Sequence, residues 1–286
     1  MVQTRRYPYG SLGYRTIGFS LSGDYADASM QLSEGLDGKY NSLLHGEAGY
    51  EYLKRTDSGI ILNADSTSAP AVNGYDLYTT LNVDYMDITD KAMRKYLTAD
   101  DNIESSCCVL MEVKTGAIRS MINLQRGKDG QLHEYENVAI RRRGEPGSVW
   151  KLTTLMTVME DGHITSTYQT IPTNKSVIPG YKYEEDKHIT KDWEQKYHTN
   201  RVPIWYGVQI SSNYVFRYLA ISNYEDRPEQ FIDRLYTYKL GEAWPFDLDG
   251  LRKPMIPSPD KKKNPYWSKT DLGQVAMGYT VSVTPL

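Results

Sequence analysis

Polar and apolar residues alternate from Tyr75 to Val83, a stretch rich in Thr, Tyr and Leu, and this predicts a strand. The period then lengthens. Met86, Ile88, Met93 and Leu97 fall at helical spacing and predict a helix from Asp84 to Leu97. Two apolar runs follow, Ser106 to Val113 and Ala117 to Leu124, which read as strands joined by a tight turn at Lys114-Thr115-Gly116. A polar loop covers roughly 125–143. Next comes an apolar helical run from Ser148 to about Glu160, stopped by Asp161-Gly162. Beyond a turn-rich stretch reaching Arg201, Pro203 to Ile210 and Ser212 to Ile221 read as helices interrupted at Ser211-Ser212-Asn213. Pro228 to Leu240 places Phe231, Ile232, Leu235 and Leu240 on one face of another helix. Leu251 to Trp267 is loop, Thr270 to Met277 a short helix, and Thr280 to Val283 extended. Residues 1–72 are polar and turn-rich, a small loop-rich region containing β-structure and one short helix near Ala28 to Glu34.

Composition narrows the classes. A chain of 286 residues, 40% hydrophobic and 24% charged, is ordinary for a globular protein of one large or two smaller domains. A net charge of −3 gives no electrostatic argument for nucleic acid or an anionic membrane. No apolar run nears the length that spans a bilayer, and no signal segment opens the chain, so the sequence as written is expected to be soluble with any membrane anchor left out. The 24 Tyr against 4 Phe read as compositional drift. Cys107 and Cys108 are strand neighbours pointing to opposite faces, hence poorly placed to bridge each other, and read as small core residues. The five His show no ligand spacing, so no metal or cofactor is implied.

The chemistry concentrates in Glu145-Pro146-Gly147-Ser148-Val149-Trp150-Lys151. Pro and Gly cannot carry a helix backwards, so one begins near Ser148. At a spacing of three, Ser148 and Lys151 share a face one turn apart, as a nucleophile and its base would for acyl transfer through a serine ester. The spacing alone is cheap: Ser258-Pro259-Asp260-Lys261 repeats it in a solvated, lysine-rich loop. Trp150 reads as packing beneath Ser148, and Arg141-Arg142-Arg143 as a solvated face. Ser211 and Asn213 sit two apart at a helix break, where a hydroxyl could relay a proton and a carboxamide could hold a carbonyl or the lysine. Alone they read as helix caps; beside Ser148 and Lys151 they read as the second half of a site.

These motifs, together with Arg15-Thr16-Ile17-Gly18, Gly35-Leu36-Asp37-Gly38-Lys39-Tyr40-Asn41, the segment Pro70 to Asp84, Val109 to Gly116 and Gly278 to Leu286, resemble a class B penicillin-binding protein of the septal D,D-transpeptidase type, with the flavour of Bacteroides-like bacteria. The resemblance implies an α+β fold, a penicillin-binding/β-lactamase-like transpeptidase domain with an antiparallel sheet and helices, over residues 73–286. Residues 1–72 would be part of the non-catalytic N-terminal domain or a linker. The family's third motif, Lys-Thr-Gly, belongs on a strand after the Thr-Pro-Leu segment, and the sequence stops at Leu286 on that segment. Lys114-Thr115-Gly116 precedes the nucleophile and is read as a decoy. The expectation is a domain incomplete at its C-terminus, inactive alone, with apolar surface near residues 107 and 118 and on the Ser148 helix left without a cover.

The resemblance further implies the substrate and partners. Ser148 would attack the penultimate carbonyl of a D-Ala-D-Ala stem peptide, Lys151 would take its proton as an uncharged amine, and Ser211 and Asn213 would assist. β-Lactams would acylate the same serine. Divisome proteins are candidate partners, nucleic acid is not, and the location is the periplasmic side of the inner membrane. Two rivals stand beside this reading: a β-lactam sensor or β-lactamase-like serine hydrolase, in which water resolves the ester, and a non-catalytic scaffold fragment binding divisome partners through residues 1–72.

Overall fold

The computed structural model describes residues 6–20, 33–56, 59–62, 68–178, 180–181, 186–242 and 244–286. The chain forms two compact units. The first comprises Met1–Arg141, Pro245–Leu251 and Pro285–Leu286, the second Arg142–Trp244 and Arg252–Thr284. This division falls at Arg141, and residues on both sides of the boundary expected at residue 72 share the first unit.

The first unit is built on an antiparallel sheet. Strand β1 (Ser105–Met111) pairs with β2 (Ile118–Arg126), which pairs with β3 (Leu132–His133). Alternate residues of β2 feed two cores, as the two-residue period of a strand requires. Ile122 and Leu124 pack with Leu132, Met86 and Leu97, the last two from helix α1 (Val83–Leu97). Met121 packs with Ala139, Ile140 and Leu248. Asn82 caps α1, its Oδ1 accepting the Tyr85 N–H at 3.0 Å. Ahead of this lie a short helix at Tyr14–Ile17, a two-residue pairing of Phe19–Ser20 with Ser33–Glu34, and a hairpin of Leu53–Thr56 with Gly59–Leu62.

Several expectations change here. The strand predicted over Tyr75 to Val83 does not form: Val83 already begins α1, and Tyr75, Leu77 and Tyr78 are all exposed. Its end is tied to β2 by the Asn82 N–H to the Arg119 carbonyl (2.8 Å), the Thr80 hydroxyl to the Ile118 carbonyl (2.8 Å) and the Arg119 side chain to the Thr80 carbonyl (3.3 Å); one of these bonds is backbone to backbone, which is too few for a ladder. The helix expected near Ala28 to Glu34 lies mostly outside the described residues, and Ser33–Glu34 are strand. The loop expected over 125–143 contains β3 and a buried helical turn at Val138–Arg141. Cys107 and Cys108 are unpaired thiols and only half-buried, and burial pushes the Cys107 thiol up to about 11. In the arginine run, Arg141 pairs with Glu34 at 2.9 Å and Arg143 donates to the Lys253 carbonyl at 2.9 Å, so it is not simply a solvated face.

In the second unit a 3-10 turn, Gly147–Trp150, runs into α2 (Lys151–Glu160). Gly162 (φ 77°) ends the helix with a bond to the Met159 carbonyl. The turn-rich segment that follows contains β4 (Thr170–Pro172), a π-helix at His188–Gln195, and β5 (Arg201–Pro203), which pairs with β4. Then come α3 (Ile204–Gln209), α4 (Asn213–Tyr224), α5 (Pro228–Thr237) and α6 (Lys269–Ala276). Helix α4 is the centre. It touches α2, α3, α5 and α6, and it buries Tyr214, Val215, Phe216, Leu219 and Ala220 together with Arg217, so most of its surface is covered. Its neighbours contribute Trp150, Val158, Ile204, Phe231, Leu235 and Val275 to one core. The outer side of the Ser148 turn and α2 is different: Val149, Leu152, Met156 and Met159 form an exposed apolar stripe. Among the described residues no helix is long and apolar enough to cross a membrane.

Candidate active site

The 3-10 turn before α2 is fixed from behind. Gly147 (φ 58°) donates its N–H to the Gly278 carbonyl at 3.0 Å, and Gly144 and Val283 exchange two backbone bonds of 3.0 Å. The Glu145 carboxylate accepts the Thr280 N–H at 2.8 Å. Gly278 (φ 85°) admits this close approach only because it has no Cβ, which would lie 2.1 Å from the Gly147 carbonyl oxygen. Trp150 is buried beneath the turn. The segment read as extended, Thr280 to Val283, is therefore the strap that presents Ser148. Ser148 itself is exposed, and its carbonyl accepts the Lys151 N–H.

The Lys151 side chain is buried. It is only 3% exposed. Its Nζ donates to the Ser211 carbonyl at 2.6 Å and to Asn213 Oδ1 at 2.7 Å, and lies 3.2 Å from Ser211 Oγ. Phe216, one turn into α4, places its ring 5.8 Å from the same nitrogen. Hydrogen bonds thus join three of the four residues singled out in the sequence, across an interval that only folding closes. Ser148 joins them by position, one turn ahead of the lysine at the exposed rim, where Ser211 is also exposed.

The helix break works in a way the sequence reading did not give. The cap of α4 is neither Ser211 nor Asn213. It is Ser212, fully buried, whose Oγ accepts the Val215 N–H at 3.1 Å. Ser212 takes the structural duty and frees its two neighbours to face Lys151. Ser211 sits at φ 53°, a left-handed conformation unusual for a residue with a Cβ. That kink turns its carbonyl and hydroxyl toward one nitrogen. Asp186 is a second residue the sequence did not flag. Its Oδ2 accepts the Ser212 hydroxyl and, at 3.0 Å, the Tyr214 N–H. No spacing signal connects it to the motif.

The other candidate motifs have contacts of their own. Lys114-Thr115-Gly116 is the exposed turn between β1 and β2, closed by Gly116 N–H to the Glu112 carbonyl at 2.8 Å. Ser258 Oγ accepts the Asp260 N–H at 3.2 Å in a loop, and the Lys261 amine donates to the Trp267 carbonyl.

Residues 106–286 match the family model described as the penicillin binding protein transpeptidase domain. The Escherichia coli K12 protein named peptidoglycan D,D-transpeptidase FtsI is 24% identical over 99% of this chain, which covers 44% of that relative. The chain therefore spans less than half the length of the curated relatives it matches. Among solved structures, penicillin-binding protein 2X from Streptococcus thermophilus superposes with a TM-score of 0.71 at 19% identity, over 98% of this chain and 40% of that one. Penicillin-binding protein 2 from Helicobacter pylori, solved in complex with MreC, gives 0.69 at 19% identity, over 98% and 55%. These likenesses show the α+β penicillin-binding transpeptidase fold.

Proposed function

From the premise that this chain belongs to the penicillin-binding protein transpeptidase family, we propose that it carries the acylation half of a peptidoglycan D,D-transpeptidase site, of the class B septal type. The observation that carries the reading is the buried amine of Lys151, held by Ser211 and Asn213 one turn from an exposed serine.

The geometry suits the chemistry. A neutral amine has two N–H donors and one lone pair. The Ser211 carbonyl at 2.6 Å and Asn213 Oδ1 at 2.7 Å can accept those two donors. In this reading the lone pair takes the Ser148 proton as Oγ attacks the penultimate carbonyl of a D-Ala-D-Ala stem peptide. Ser211 Oγ, 3.2 Å from Nζ, is the relay that passes the proton to the departing D-Ala amine. The Ser148 N–H, at the start of a helix, is one donor for the oxyanion. A second amine then attacks the ester, the cross-link forms, and Ser148 recovers its proton. β-Lactams enter by the same attack and stay as the ester.

We further propose that residues 1–72 serve the non-catalytic part, that divisome proteins are partners, and that the protein works on the periplasmic face of the inner membrane. The exposed stripe of Val149, Leu152, Met156 and Met159 supports the reading that residues 1–286 alone do not turn over. The test is labelling of the intact gene product with a fluorescent penicillin. Wild type labels covalently and holds the label for minutes or longer, and Ser148→Ala stays dark. Equal labelling of both would end the assignment of Ser148. Release within seconds would favour a hydrolase.

A further inference from the structure

We propose that Asp186 is a positioning residue for acylation, setting the shape of the Ser211-Ser212-Asn213 turn that holds Lys151. This rests on the reading of Ser148 and Lys151 given above.

The inference comes from how one oxygen is used. Asp186 Oδ2 accepts two donors at once, the Ser212 hydroxyl and the Tyr214 backbone N–H at 3.0 Å. These residues flank Asn213 on both sides. The Ser212 Oγ that donates to Asp186 also accepts the Val215 N–H at 3.1 Å. Carboxylate, hydroxyl and two amides thus form one chain, in which each group fixes the next. The hydroxyl's proton is committed to Asp186, so its lone pairs face the helix. With residues 212 and 214 both held, the path of residue 213 between them is set.

Asp186 is itself held. It adopts φ 65°, and its carbonyl accepts the Ser176 hydroxyl at 3.1 Å and the Ile189 N–H at 2.9 Å. It therefore links the turn at Asn174–Ser176 and the start of the π-helix to the N-terminus of α4. A carboxylate also suits the positive end of that helix. The requirement for such a brace is visible in Ser211. A serine at φ 53° stays in the left-handed region only where its surroundings hold it. Asp186 touches neither Lys151 nor the reacting atoms in this arrangement; it acts through Ser212 and Tyr214.

The experiment compares wild type, Asp186→Ala, Asp186→Asn and Ser148→Ala in the intact gene product, following acylation by a fluorescent penicillin. Rate constant and final labelled fraction are read separately. Asp186→Ala is expected to slow acylation at least ~tenfold, the loss of a cap-type contact passed on to the base, while labelling the same fraction at the end. Both bonds go to a single oxygen, so the Asn carboxamide oxygen serves, and Asp186→Asn stays within ~threefold of wild type. A merely structural role would lower the labelled fraction and leave the rate of the surviving molecules alone. Wild-type rate in Asp186→Ala overturns the proposal, as does an Asn variant as slow as the Ala variant. If Asp186→Ala does not fold, Ser212→Ala breaks the same link from the other side: slow acylation supports the proposal and wild-type acylation overturns it. Labelling of Ser148→Ala would sink the underlying site and leave Asp186 as a separate question.

Discussion

Each unit of this chain buries an ionisable side chain among hydrogen-bonding groups, and the two are used in opposite ways. In the first unit Glu134 is 7% exposed, and its carboxylate accepts the Arg15 backbone N–H at 2.7 Å and the Asn123 backbone N–H at 3.3 Å. Its own carbonyl takes the Arg15 side chain at 2.9 Å, and Arg15 continues to Glu34. Residues far apart in sequence are stapled there, with Asn123 buried on β2. In the second unit Lys151 is as deeply buried, but its surroundings end at two exposed serines, 148 and 211. A buried ionisable group walled in on all sides can only bear on stability, whereas one that opens to an exposed hydroxyl can move a proton. Depth alone does not distinguish structure from chemistry; the rim does.

The largest expected effect tests the open side. Lys151→Met keeps length and apolar volume but removes the amine. If Lys151 is the base proposed above, acylation of the intact gene product by penicillin should fall by ~10²–10⁴. Lys151→Arg should fail as well, because a guanidinium does not give up its proton. Thermal unfolding should change little beside this, since Met fills the cavity. Acylation within tenfold of wild type in both variants would make Lys151 a structural residue like Glu134.

A smaller effect tests the closed side. Burial pushes the Glu134 carboxyl up from its ordinary 4.5 to about 7, with Asp90 adding to the rise and the two backbone N–H bonds opposing it. The folded state therefore keeps a proton that the unfolded chain has lost. Stability from this group is fully present below pH 4.5 and is lost as pH rises through about 7. A shift of that size corresponds to about 3 kcal/mol. Denaturant titrations of residues 1–286 at pH 5 and pH 8 should show this loss. Glu134→Gln, which keeps an oxygen for Arg15 and gives up the longer bond to Asn123, should flatten the slope. An unchanged slope in the variant would place the pH dependence elsewhere.

The contrast also shows what the sequence could give. The helix of Val83–Leu97, the hairpin of β1 and β2, and the helices either side of Ser211 were legible because each is a local period with a local stop. The pair Ser148 and Lys151 could be singled out because a spacing of three sets them one turn apart without help from the rest of the chain. The strand predicted at Tyr75 to Val83 failed for the complementary reason: alternation was present, but only its end bonds to β2 and no ladder forms. Asp186 and the π-helix lay in the segment read only as turns, since a single Asp bonding to a motif some 25 residues away leaves no period to find. Ser212 was hidden by its neighbours: of three adjacent polar residues, sequence could not say which one the helix would take as its cap.

The smallest effect is also the sharpest check on motif reading. Lys114-Thr115-Gly116 spells the family's third motif, yet its contacts are those of a hairpin turn. The Thr115 hydroxyl donates to Glu112 Oε2 at 2.6 Å, and Arg119 meets the same oxygen at 2.9 Å. Those bonds hold Glu112 below the usual carboxylate range and leave Lys114 exposed at the tip. Gly116 (φ 73°) is there for the turn. Lys114→Ala should leave penicillin acylation of the intact gene product unchanged and alter stability by less than ~0.5 kcal/mol, as for other exposed positions. A tenfold loss of acylation would mean that this turn reaches the substrate after all, and that the same three letters do chemistry in a second place.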